Sequence, residues 1–156
     1  MTFKILIPLD GSKIGEAALP YVDELVAKLT SDVKAEFILL QVVSFLTHYV
    51  AGGELMAPVS LTEQERKQIQ QQARSYLNKV AKRVRRKKIS TKVMIRVGNS
   101  AEEIIQAADE IGVDLIAMST HGRHGLSRWA FGSVADKVLR GGRNPVLMVR
   151  IPKETA

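Results

Sequence analysis

Two kinds of segment alternate along this chain: short, dense apolar runs and longer stretches in which apolar residues recur every third or fourth position. Phe3 to Leu9 is the first dense run. It closes at Pro8-Leu9-Asp10-Gly11, which predicts a buried strand that turns at its C-terminal end. Ser12 is placed to cap a helix running to about Leu29, with Ala17, Ala18, Tyr21, Val22, Leu25 and Leu29 at helical spacing. Ala35 to Val43 encloses a second buried strand. Phe45 to Ser60 carries Gly52-Gly53 and Pro58 and reads as a loop. Thr62 and Glu65 form a capping box ahead of a long helix whose apolar stripe is Ile69, Ala73, Tyr76, Leu77, Val80 and Val84. Thr91 to Val97 is a third strand. Ser100 and Glu103 make a second capping box, followed by Ile104, Ile105, Ala108 and Ile111. Leu115 to Ser119 is a fourth strand and Val134 to Arg140 is helical. Gly141-Gly142 and Asn144-Pro145 then break the chain before a fifth strand, Val146 to Val149.

Strands alternating with helices predict an α/β fold: a single-domain, doubly wound sandwich with a parallel sheet covered by helices on both faces. Right-handed crossovers bring the C-terminal end of every strand to one edge, and ligands of such sheets bind at that edge. Asp10, Val43 and Ser119 stand there, and Gly98 lies in the turn after the third strand. No linker, repeat or low-complexity segment divides the chain. Residues 1–152 are expected to form the domain and 153–156 a C-terminal tail.

Composition narrows the function classes. The 156 residues suffice for one sizeable core, and 46% apolar with 25% charged residues is ordinary for a globular domain. With no cysteine, disulfides, thiolate metal sites and thiol catalysis are excluded. No apolar run approaches the roughly 20 residues of a membrane helix, and the first residues lack the features of a signal peptide. The expected location is cytoplasmic. The net charge of +7 is local, because Lys79 to Lys88 holds seven cations and no acid. Such a segment is either a contact for RNA, a protein or an anionic membrane, or a solvated helix face. The absence of interleaved aromatic residues favours the solvated face.

The segment from Met118 to Leu139 carries the candidate chemistry. An apolar strand runs into a loop that opens with small residues and closes at Gly132-Ser133, where an amphipathic helix begins. Small residues allow close approach to the backbone, and a helix N-terminus offers unpaired N–H groups to an anion. Ser133, with Asp136 three residues on, is the expected N-cap, and its hydroxyl is available to the helix or to a phosphate. Arg123, His124 and Arg128 are either phosphate donors or solvated loop cations. Trp129 and Phe131 pack the loop onto the domain or onto a partner. His121 and His124 are near each other, but no carboxylate joins them at ligand spacing and His48 is remote, so no protein metal site is expected. Gly-Lys-Ser/Thr is absent, as are paired carboxylates and a water-activating base in the loop. Slow turnover at most, rather than an efficient enzyme, is the expectation.

These residues resemble the universal stress protein family over nearly the whole chain. Lys4-Ile-Leu-Ile-Pro-Leu-Asp-Gly-Ser12 is similar to the family's opening strand and Asn144-Pro145-Val-Leu-Met-Val149 to its closing strand. The family's nucleotide motif is Gly, two residues, Gly, nine residues, Gly-Ser or Gly-Thr. Gly122 and Gly132-Ser133 match it, and Ser119 occupies the first glycine position. The resemblance implies the strand order 3-2-1-4-5, a homodimer built around Val146–Val149, and an ATP-binding member acting in the stress response, with AMP or ADP as alternative ligands. Magnesium or manganese would enter only through the nucleotide phosphates. It places Asp10 near the adenosine end, where turn formation is the alternative role, and Pro8 and Leu9 beside it. Val42 and Met118 become walls for the base. Ser119, Gly122, Gly132, Ser133, Val134 and Ala135 surround the phosphates and ribose, with Gly98, His121 and Arg123 as further nucleotide-binding candidates.

Overall fold

The computed structural model of the protein describes residues 1–30, 32–44, 61–84, 89–120 and 132–151, together with the backbone of 46–47, 50–51, 54–55 and 59–60. In chain order the elements are β1 (Thr2–Pro8), a 3-10 turn (Gly15–Ala17), α1 (Ala18–Ala27), β2 (Lys34–Val43), β3 (Leu46–Thr47), β4 (Val50–Ala51), β5 (Glu54–Leu55), β6 (Val59–Ser60), α2 (Glu63–Val84), β7 (Ile89–Val97), α3 (Ser100–Ile111), β8 (Leu115–Thr120), α4 (Ser133–Gly141) and β9 (Val146–Arg150).

The dense apolar runs are the five long strands. They pair in parallel in the order β7-β2-β1-β8-β9, which in chain order is the expected 3-2-1-4-5. Register is continuous across the centre: Thr2 to Pro8 of β1 face Lys34 to Leu40 of β2, and Ile5 and Leu6 face Leu115 and Ile116 of β8. Successive side chains of a strand point to opposite faces, so the sheet feeds two cores. Ile5, Ile7, Phe37 and Leu39 pack under α1 and α2 with Val22, Leu77 and Val80. Leu6, Ile38, Leu40, Ile116 and Met118 pack under α3 and α4 with Ile104, Ala108 and Val138. A sheet buried on both faces needs strands that are apolar at consecutive positions, which is why β1 and β2 read as dense runs.

Three local expectations are corrected. The first helix begins at Ala18 rather than Ser12. Ser12 Oγ does accept the Gly15 N–H at 3.0 Å, but Asp10 Oδ1 takes both the Ser12 N–H (2.9 Å) and its hydroxyl (2.6 Å), closing a tight turn ahead of the 3-10 segment. Pro20 then falls in the first α-helical turn, where its missing N–H is not needed. Residues 45–60 are not wholly loop: β3 pairs antiparallel with β6 and β4 with β5. Pairings of two residues satisfy backbone groups on a long excursion, yet they are too short to leave an alternating pattern. Finally, α3 is capped by Asn99, whose Oδ1 accepts from the Ala101 and Glu102 N–H groups, rather than by Ser100. Glu103, expected in a capping box, instead pairs with Arg96 at 3.7 Å.

The Thr62–Glu65 box forms as expected: Glu65 N–H donates to Thr62 Oγ1 at 3.2 Å and Thr62 N–H to Glu65 Oε2 at 2.7 Å. The hydrogen bonds to Thr62 hold the Glu65 carboxyl below its usual pKa. Toward the basic end of α2, Val80 is buried while Lys79, Lys82 and Arg83 are exposed, an amphipathic arrangement. Arg85, Arg86, Lys87 and Lys88 lie outside the described residues, as do 153–156. Among the described residues no helix is long and apolar enough to cross a membrane.

Candidate functional site

A cleft of ≈ 370 Å³ opens at the C-terminal edge of the sheet, where β1, β2 and β8 end. Pro8, Leu9 and Asp10 enter it from the end of β1, and Val42 from β2. Met118 and Ser119 come from β8, and Gly132, Ser133, Val134 and Ala135 from the start of α4. The structure thus brings together residues spread over more than 120 positions of sequence. The cleft also contains four residues not singled out from the sequence: Gly15, Leu40, Ser100 and Ile104. Leu40 carried a usable signal, because it lies two residues before Val42 and shares its face. Ser100 and Ile104 read as cap and core. Gly15 left no local mark, since its place follows from the turn before it.

Gly98 is not among the residues that line the cleft. Its φ of 148° is left-handed, its N–H donates to Val43 O at 3.1 Å, and a Cβ there would lie 2.9 Å from Glu103 Oε1. Its glycine serves the β7–α3 turn. His121, Gly122 and Arg123 lie outside the described residues, together with His124, Arg128, Trp129, Phe131 and His48. Among the described residues no group of three His, Cys, Asp or Glu is arranged to hold a metal ion.

The walls divide by chemistry. Leu40, Val42, Ile104 and Met118 make an apolar side. The N-terminus of α4 also lines the cleft. Gly132 is the cap residue, with φ 87° and ψ 143°, and Asp136 N–H donates to Gly132 O at 2.9 Å as the first helical hydrogen bond. Ser133 is therefore the first helical residue, not the expected cap. Among the described residues no side chain caps this end, and Asp136 bonds Arg140 Nε at 2.9 Å instead. The N–H groups of Ser133, Val134 and Ala135 have no acceptor within the helix, so the first turn presents three donors and the positive end of the helix dipole.

Asp10 Oδ1 is committed to Ser12, which is the turn role weighed for it from the sequence. The same carboxyl also fixes Gly15, where an added Cβ would lie 2.5 Å from Oδ1. Ser119 Oγ donates into the 3-10 turn, with Ile14 O at 2.8 Å and Gly15 O at 3.1 Å. Behind that turn, Glu16 is gripped from α2: Tyr76 Oη donates to Oε1 at 3.0 Å and Arg83 Nη2 to Oε2 at 2.6 Å. Burial first, and then the hydrogen bond to Glu16, push the Tyr76 phenol well above its ordinary pKa.

Comparison with known proteins gives a consistent result. The universal stress protein family model matches residues 1–150. A universal stress protein of Methanocaldococcus jannaschii is 33% identical over 159 residues, spanning 94% of this chain and 94% of its own length. The solved structure of that protein superposes with a TM-score of 0.73 at 28% identity, covering 97% of this chain and 98% of that one. Two more distant structures share the fold: a universal stress protein in complex with cAMP (TM-score 0.62, 20% identity, covering 95% and 96% of the two chains) and an Arabidopsis thaliana family member with AMP bound (TM-score 0.62, 14% identity, covering 98% and 94%).

Proposed function

The chain belongs to the universal stress protein family, and we propose that it binds ATP in the cleft at the C-terminal sheet edge and acts in the stress response as a nucleotide-dependent switch. One observation carries this reading: an apolar wall and the first turn of α4, whose N–H groups have no acceptor within the helix, line a single cleft. A purine base needs the first and a polyphosphate the second. Space supports the fit, because a Cβ built on Gly132 would meet nothing within 4 Å among the described residues. The adenine nucleotides named for two proteins of the same fold point to the same ligand class.

On this reading Leu40, Val42, Ile104 and Met118 hold the base, with Pro8 and Leu9 at its margin. Asp10 borders the ribose. Ser133, Val134 and Ala135 direct their N–H groups to the phosphates, and His121, Gly122 and Arg123 complete those contacts from the segment between β8 and α4. The nucleotide supplies the charge that distinguishes one state of the switch from another, since loss of its terminal phosphate removes an anion from the start of α4. Any divalent ion is held through the phosphates. Turnover far below the ~10 s⁻¹ of a typical enzyme is expected. Two copies are further proposed to pair through β9, an edge strand joined on one side only, to β8.

Calorimetric titration with ATP, ADP and AMP in the presence of Mg²⁺ tests the proposal. Saturable heat with one site per chain is expected. Absence of heat at millimolar nucleotide with the protein folded overturns it. Sedimentation at the mass of one chain at all concentrations would remove the dimer.

A further inference from the structure

Ser119 stands where the family's motif has its first glycine, and its hydroxyl does not point its proton at the cleft. That single hydrogen is directed to the carbonyls of Ile14 and Gly15, 2.8 and 3.1 Å away and more than 100 residues distant in sequence. Ser119 is therefore not available as a phosphate donor, because a serine has one hydroxyl hydrogen to give. The carbonyls it holds belong to the short turn that places Gly15 in the cleft wall and keeps Asp10 at its rim. Within the turn, Ala17 N–H donates to Ile14 O at 3.1 Å and Gly15 N–H to Ser12 Oγ at 3.0 Å. Glu16 is held from the far side by Tyr76 and Arg83. Ser119 is the tie on the cleft side.

We propose that Ser119 is a positioning residue: it latches the 12–17 turn to the end of β8, so that the Gly15 wall of the nucleotide cleft is formed before ligand arrives. This rests on the nucleotide reading above. Pre-formation favours binding because the ordering cost is already met in the free protein. The consequence runs against the motif. Restoring glycine with Ser119→Gly opens no better path for the nucleotide; it unties the wall and weakens binding.

The test pairs Ser119→Gly and Ser119→Ala with Ser119→Thr, which keeps the hydroxyl. Amide hydrogen exchange on the ligand-free protein is followed at Gly15 to Ala17, and affinity for ATP by calorimetry. Both hydroxyl-less variants are expected to exchange faster at that turn, with the rest of the chain unchanged, and to bind roughly three- to tenfold more weakly, the scale of one net hydrogen bond. Ser119→Thr is expected to recover protection and affinity. Binding by Ser119→Gly as tight as wild type, unchanged exchange at the turn, or faster exchange spread over the whole chain overturns the proposal. If wild type itself binds no nucleotide, the functional reading falls, and the ligand-free exchange still decides the latch. If Ser119→Gly does not fold, Ser119→Ala carries both measurements.

Discussion

Tyr76 on α2 donates its hydroxyl to Glu16 Oε1 at 3.0 Å, one residue beyond the glycine that lines the cleft. Arg83, on the same helix, reaches the other Glu16 oxygen at 2.6 Å. The long helix thus touches the cleft-lining turn through a carboxylate whose side chain is only 17% exposed. The most exposed partner, Arg83, adds little on its own, on the order of 0–1 kcal/mol for a pair open to solvent. The partly buried tyrosine contact is the stronger one.

Tyr76→Phe is expected to cost about 1–2 kcal/mol, because Glu16 loses a donor in a partly buried place. The pH dependence has a definite sign. The folded state holds the phenolic proton more tightly than the unfolded chain, so this stabilisation is complete below the ordinary tyrosine value of 10.0 and declines as pH rises above it. Urea unfolding of wild type and Tyr76→Phe between pH 8 and 11 checks this. The gap between them should narrow at the alkaline end; a gap constant with pH would contradict it.

Gly15→Ala is expected to destabilise by about 1–3 kcal/mol, the scale of an overpacked site. The new Cβ would meet Asp10 Oδ1 at 2.5 Å, and that oxygen is fixed by Ser12 and cannot swing away freely. In a double-mutant cycle with Asp10→Ala the penalty should largely vanish, since the clashing atom is gone. Additive effects would show that the contact is not the cause.

Gly132→Ala tests backbone conformation without a clash. Space is open there, yet φ 87° with ψ 143° lies in a region few L-residues adopt, so a cost of about 1–3 kcal/mol is expected. Gly112, at φ 64° and ψ 60° after α3, occupies the ordinary left-handed well, and Gly112→Ala should cost less, about 1 kcal/mol. Equal costs would show that the two caps are not distinguished by conformation.

Asn99→Ala should lower stability by about 1 kcal/mol through the lost cap, whereas Ser100→Ala should leave stability nearly unchanged and act on ligand affinity, since Ser100 lines the cleft. Thermal melts and nucleotide titration of the two variants separate these roles. The reverse ranking would restore Ser100 as the cap.

Much of this protein is legible in local pattern. The runs Phe3–Leu9 and Ala35–Val43 announce strands buried on two faces, and the spacing of Ala73, Leu77 and Val80 announces the face α2 buries. Alternation of the two periods specifies a parallel sheet with helices on both sides, and handedness then places Asp10, Val43 and Ser119 along one edge. These follow from sequence alone because periodicity is a property of neighbours: a side chain's face is set by the residues beside it. The caps were less legible. Ser12, Ser100 and Ser133 are all suitable cap residues, but Asp10 captured the first, Asn99 pre-empted the second and Gly132 displaced the third. What only the tertiary structure decided is where each polar side chain spends its hydrogen bonds. Ser119 finds Ile14, and Arg83 finds Glu16, across 105 and 67 positions. Such pairs form because separately coded elements pack side by side, and a contact made by packing leaves no periodic trace in either segment.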